Sequence, residues 1–301
     1  MRFTPRISRN ELTLNLAVLS RELRTRMRGR RAAIIITVYL LALAGAGAAF
    51  LHTFRDQFQY DPGSLFRFGS QVFMMLSFVQ MSLIVFIVPG LTGGAVAGER
   101  DRQTLDILLS SQVSSAGIII GKLLSSLTYV VLLLVAALPV FSLAFLFGGV
   151  SPRQIVVVFL LSLATAITLG SIGVALSTWL RRGQMATIAT YAVTFFMSLG
   201  TLGIAAFIEA NTNSGPGWRV VHIPLLFNPF AGLSSILPDI GVLFTNQGSQ
   251  WTGLAFWQAT LITDAVIVAA CVWLSIKGLR PGSGRALGRA RPGAVPVEAE
   301  Q

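Results

Sequence analysis

Hydrophobic positions in this chain gather into long blocks separated by short polar joints. Five blocks carry no charged residue: Ala32 to Leu51, Phe68 to Gly98, Leu123 to Pro152, Gln154 to Leu180 and Gly183 to Ile208. A sixth, at about Gly253 to Ile276, is interrupted only by Asp264. A bilayer core about 30 Å thick is crossed by about 20 apolar helical residues, so each block is long enough to span with turns or tilt to spare. The pattern predicts six membrane helices, at about 32–51, 72–98, 122–147, 155–180, 184–208 and 253–276, in one transmembrane domain over 32–277.

The flanks differ in kind. In residues 1–31, Leu12, Leu16, Leu19, Leu23 and Met27 recur at three- and four-residue spacing, while Arg21, Arg24 and Arg28 fall on the opposite side. That is the pattern of an amphipathic helix lying flat on a membrane, and a solvated helix that only supplies positive charge is the plainer alternative. No apolar block opens the chain as it would in a secretory signal, so this segment is expected to stay with the mature protein. The connection from Glu209 to Gln250 starts polar and glycine-rich, then turns apolar around Pro224, Pro229 and Pro238. Three prolines exclude an uninterrupted spanning helix, so short re-entrant helices dipping into the outer leaflet are expected at about 222–245. Residues 278–301, rich in Gly, Pro and Arg, read as a disordered tail.

Composition agrees: 53% of the 301 residues are hydrophobic and only 12% charged, with mean hydropathy +0.72, where a soluble domain carries about 25% charged residues. The net charge of +11 would suit nucleic acid, but its bases cluster at the ends of apolar blocks, so no nucleic-acid partner is expected and the bilayer is. With the N-terminus inside, the cytoplasmic segments hold nineteen Lys and Arg and the outer ones four, namely Arg55, Arg67, Arg153 and Arg219. Both termini are therefore expected in the cytoplasm. Trp179 and Trp273 then fall at the inner surface, and Trp218 and Trp251 at the outer one. Arginine supplies 21 of the 23 basic residues, in keeping with a GC-rich bacterial source and nothing more. One cysteine, Cys271, builds neither a disulfide nor a cysteine metal site within the chain.

Little catalytic chemistry is on offer. Around Gly121 and Lys122, a phosphate-binding loop would need a glycine at Ala116 and a hydroxyl at Leu123, so no nucleotide or other cofactor is expected in this chain. His52 and His222 both map to the outer side and are too few for a zinc site. Asp264, an acid near the middle of a span, is a candidate for a transport pathway, and Gln80 is a second of the same kind. A structural role for Asp264, bonded to hydroxyls such as Thr187, Thr190 or Thr194, is the alternative. Gly90, Gly94 and Gly98, next to Pro89, mark a close helix contact, either within the chain or between two copies.

The most informative stretch is the joint from Gly98 to Lys122, with three acids and three bases between two apolar blocks. Asp101 is placed to cap a short helix at about 101–113 with Asp106 in its first turn. Leu105, Leu108, Leu109 and Gln112 give that helix one apolar stripe. Such a helix is too short to stand alone and needs a partner surface. Together, Glu99, Arg100, Asp101, Thr104, Leu105, Leu108, Leu109, Gly121 and Lys122 resemble the first cytoplasmic loop of ABC-2 type ABC transporter permeases. Their pattern reads Glu-Arg/Lys-Glu/Asp-x-Gly-Thr-Leu-x-x-Leu-Leu, with a Gly-Lys opening the next helix. One position departs: Gln103 stands where the pattern has glycine. Asn228-Pro229-Phe230 is similar to an Asn-Pro-Phe before the last span in many such permeases, and a helix-starting turn explains it equally well.

The resemblance implies an all-α polytopic membrane protein of the ABC-2 exporter type, covering about residues 10–277. It implies a coupling role for Glu99, Arg100, Asp101, Arg102, Thr104, Leu105, Asp106, Leu108 and Leu109, and an outer gate at Asn228, Pro229 and Phe230. It also implies a separate ATP-binding subunit in two copies, which binds the ATP and magnesium, and a second permease chain, identical or related. This chain is then a non-catalytic subunit. An ATP-independent secondary transporter or channel is the competing class; it would carry more intramembrane titratable residues and often an internal repeat.

Overall fold

A computed structural model describes residues 30–53, 64–103, 115–180, 182–211, 223–237 and 255–279. Their main elements are helical: α1 (Arg30–Thr53), α2 (Ser64–Thr92), α3 (Ala97–Asp101), α4 (Ser115–Phe147), α5 (Pro152–Trp179), α6 (Gly183–Phe195), a π-helical turn (Phe196–Gly200), α7 (Thr201–Asn211), α8 (Pro229–Ser234) and α9 (Phe256–Gly278). Among the described residues six helical stretches are long and apolar enough to cross a membrane: Ala33–Thr53, Arg67–Asp101, Ala116–Phe147, Pro152–Trp179, Gly183–Asn211 and Phe256–Gly278. The amphipathic helix expected within 1–31 lies outside the described residues, apart from Arg30 and Arg31 at the start of α1.

Helix α5 sits at the centre, packed against α2, α4, α6 and α9. Its buried positions are mostly small, among them Ser162, Ala166, Gly170, Ser171, Gly173 and Ser177, which lets neighbouring backbones approach closely where water supplies no driving force. One apolar core joins Leu43 of α1, Phe73 and Leu76 of α2, Leu133 and Phe141 of α4, and Leu161 of α5. Phe141 meets Phe73 and Phe159 edge-on, with ring centroids 5.7 and 5.1 Å apart, an arrangement the ring quadrupoles favour. Large apolar side chains such as Leu146, Phe207, Phe86 and Val266 point away from the bundle and stay exposed, as lipid-facing residues do.

At one end of the bundle, α4 passes to α5 through Gly148 and Gly149 at φ 83° and 79°, left-handed values that glycine adopts without steric cost. Ser151 then starts α5 with a reciprocal capping box to Gln154. A Cβ on Gly69 would lie 1.9 Å from the Gly148 carbonyl oxygen, so only glycine lets α2 pass this turn.

Two spans are not single uniform helices. The second, expected over 72–98 with a kink at Pro89, has α2 ending at Thr92 and a turn over 93–96 leading into α3. Pro89 removes one backbone donor inside α2. Across the break, the Val96 and Ala97 amides both donate to the Ser177 hydroxyl of α5, at 2.9 Å each. The backbone freed by the break is thus satisfied sideways by a neighbouring span. The fifth span contains the π-helical turn between α6 and α7, yet its buried face runs unbroken through Ala186, Thr190, Thr194, Ser198, Thr201 and Ala205. In the small-residue seam, a Cβ on Gly90 would come within 2.8 Å of the Tyr191 hydroxyl and Gly94 lies against Thr187, so α6 packs beside both, while Gly90 keeps an exposed side.

Candidate functional site

Residues 97–103 gather the ends of four spans. Glu99 reaches α4, where Lys122 Nζ donates to its Oε1 at 2.5 Å and is itself 7% exposed, against 29% for Glu99. Arg100 turns to the last carbonyls of α5, donating to Thr178 and Leu180 at 3.4 and 3.3 Å. That places a cation at the negative end of a helix dipole. Asp101 accepts the Gly183 amide at 2.8 Å, which puts an anion on the first turn of α6. Gly183 is the residue that fits there: a Cβ would lie 2.9 Å from the Asp101 carboxylate and 3.3 Å from Gly98 Cα. Beneath the ions, Ala95, Val96, Ile118, Ile119, Leu123, Val174 and Leu279 form an apolar pad. Three consecutive charged side chains therefore hold α3 to α4, α5 and α6, in addition to the Ser177 bond to α5.

Asp101 was expected to open the loop helix. It ends α3 instead, and caps α6. Its partner lies eighty-two residues away in sequence, so no local pattern announces the pairing. Arg102 is exposed in the turn that follows. Thr104, Leu105, Asp106, Leu108, Leu109 and Gln112 lie outside the described residues.

Gln103 explains its own departure from pattern. Its φ is 59°, in the left-handed region where a residue with a Cβ is held at a cost of about 1–2 kcal/mol. The glycine of the pattern suits that conformation. Gln103→Gly is expected to stabilise the chain by about 0.5–1 kcal/mol, the relief of strain exceeding the extra freedom of glycine in the unfolded state. Thermal unfolding in detergent would read it as a raised midpoint; an unchanged or lowered one would contradict this account.

A second constellation forms where α8 inserts among α2, α5, the π-helical turn and α9. Asn228 is 1% exposed and uses its whole side chain. Its oxygen accepts from the Phe230 and Ala231 amides at 2.8 and 3.2 Å, capping α8. Its amide donates to the Ser198 carbonyl at 2.6 Å and the Thr201 hydroxyl at 2.8 Å, on the π-helical turn and the start of α7. Pro229 occupies the first turn of α8, and the Phe230 ring stacks on Phe78 of α2, with centroids 6.1 Å apart. The helix-starting role of Asn228 is therefore one half of what it does.

Asp264 lines the niche under α8 with Thr165 and Thr168 of α5 and Thr260 of its own helix. Its hydroxyl neighbour is Thr168, whereas the expected Thr187 and Thr190 bond to carbonyls of their own helix. Gln80 stands apart from this niche. Fully buried, it donates to the Ser162 hydroxyl across the contact of α2 with α5 at 3.3 Å, while its oxygen has no hydrogen-bond partner among the described residues. Among the described residues no cluster of three or more His, Cys, Asp or Glu could hold a metal. Sequence reasoning missed Ser177, Gly183, Ser198 and Thr201, polar or glycine positions on apolar helices whose partners come from other spans.

A family model described as ABC-2 family transporter protein matches residues 16–275. No curated protein matches the chain at the similarity that marks a relative.

Proposed function

The chain belongs to the ABC-2 transporter family, and from that premise we propose that it is the permease half of an exporter driven by a separate ATP-binding subunit. It is a multi-pass membrane component of an ABC transporter, in a family whose members work with an ATP-binding partner. The complex we propose contains two permease chains, identical or related, and two ATP-binding subunits that carry the nucleotide and magnesium. The membrane is the bacterial plasma membrane, with both termini in the cytoplasm, and residues 101–113 provide the docking surface through Leu105, Leu108 and Leu109.

The observation that carries this reading is the fastening of α3. Glu99, Arg100 and Asp101 each engage a different neighbouring helix, so a push on the loop that follows is delivered to the ends of α4, α5 and α6 together. The turn over 93–96 lies between this block and the long run of α2, which lets the block move without bending a continuous helix. Asn228, Pro229 and Phe230 fasten α8 to α2 and the fifth span, which supports our reading of this corner as an outer gate. Asp264, in the niche under α8, is the proposed pathway acid, and Gln80, buried against Ser162, is the second candidate.

The test purifies the complex and compares substrate-stimulated ATP hydrolysis in the parent and in the double variant Leu105→Asp with Leu109→Asp. The double variant is expected to lose subunit binding and stimulation together. Normal binding and stimulation would show that the loop is not the docking surface, and gradient-driven transport by the lone chain would overturn the ATP-driven reading.

A further inference from the structure

Under α8, the side chains of Thr165, Thr168, Thr260, Asn228 and Asp264 border a space of about one water molecule. The three threonines are nearly fully buried, at 4%, 1% and 4% exposure. The hydrogen-bond inventory there is lopsided. Asn228 is saturated by the four bonds described above. Thr260 gives its proton to the Trp257 carbonyl at 2.8 Å, and Thr168 to the Ala164 carbonyl at 3.0 Å, so both present lone pairs to the space. The Thr168 oxygen also lies beside the Asp264 carboxylate, which leaves one proton between two acceptors. Thr165, 4% exposed, borders the same space, and the carboxylate offers four lone-pair sites to be satisfied there. Among the described residues no Lys, Arg or His borders the niche.

We propose that this niche binds one small alkali cation, sodium in size, held by the Asp264 carboxylate and the hydroxyl oxygens of Thr165, Thr168 and Thr260. Hard cations take oxygen ligands of these types. One positive charge cancels the single carboxylate in a region where net charge is costly, and a divalent ion would leave an excess. The space is far smaller than a cavity for an organic substrate, so an ion matches it and a drug-sized molecule does not. The proposal rests on the membrane fold alone and stands or falls separately from coupling to an ATP-binding subunit.

The full chain in detergent would be unfolded thermally in sodium, potassium and choline chloride at equal ionic strength. Sodium is expected to raise the midpoint saturably above choline, with potassium between them. Asp264→Asn should abolish the shift, and Thr165→Val, which removes one ligand at nearly constant volume, should raise the half-saturating sodium concentration about tenfold. Equal midpoints in the three salts would overturn the site, as would a sodium shift that persists in Asp264→Asn. Should that variant fail to fold, Thr165→Val decides alone: an unchanged half-saturating concentration removes the site.

Discussion

Glu99→Ala should lower the stability of the folded chain by about 3–5 kcal/mol, the range expected when one partner of a buried ion pair is removed and the other is stranded. Lys122 is the stranded group, with its side chain 7% exposed and an apolar pad of Ile118, Ile119 and Leu123 on its own helix. The reverse change, Lys122→Met, should cost less. Methionine keeps the packing of the four-atom stem, and Glu99, 29% exposed, retains some access to water. Joining Glu99→Gln to Lys122→Met should recover most of the loss, because a buried pair replaced by neutral groups of similar size is often close to neutral. Equilibrium unfolding of the parent, Glu99→Gln, Lys122→Met and the double variant in mixed micelles gives the coupling energy directly. A single-variant loss below about 1 kcal/mol would place the pair among weak surface bridges. Recovered stability in the double variant also separates two roles: if subunit docking then fails while the fold is sound, the charges themselves serve the joint.

Asn228→Ala should cost about 3 kcal/mol. The loss of an N-cap accounts for about 1 kcal/mol, and leaving the Ser198 carbonyl and Thr201 hydroxyl without their buried donor accounts for about 1–3 kcal/mol more. Asn228→Asp distinguishes the two contributions. It keeps the acceptor that caps α8 but sets a buried carboxylate against the Ser198 carbonyl, 2.6 Å from the present amide, so it should be at least as damaging as alanine. If Asp proved nearly neutral, capping would be the whole role of Asn228, and the bond to the π-helical turn would contribute nothing measurable. Unfolding in detergent measures both variants.

The six spans were legible because hydrocarbon imposes a simple rule, about 20 uncharged positions in a row, and because that rule is read one residue at a time. The break in the second span has local signals in Pro89 and the pair Gly93-Gly94, but the apolar pattern of Leu91, Ala95, Val96 and Ala97 runs through it, and the hydroxyl that satisfies it belongs to Ser177, in another span. Glu99, Arg100 and Asp101 stood out through the family resemblance, whereas their three separate partners could not be read from the sequence. Gln103 lies between these cases: the missing glycine was visible in the sequence, and the left-handed φ supplies its physical meaning. Asp264 was marked by its cost in a membrane, but its threonine neighbour came from α5. Facing positions on two apolar helices are interchangeable to any rule based on composition alone.

The π-helical turn has a consequence for register. From Ala186 to Ala205 the buried stripe makes five turns in nineteen residues, one residue more than the roughly eighteen that an ideal α-helix would use. The turn at Phe196–Gly200 takes up that surplus. Return of those five residues to ordinary helical winding would swing everything beyond them by about 100° around the span axis, carrying Thr201 off Asn228 while α6 stayed seated on Gly90 and Gly94. The fifth span is in this sense a torsion bar, with Asn228 as the pin that holds α7 at one angle.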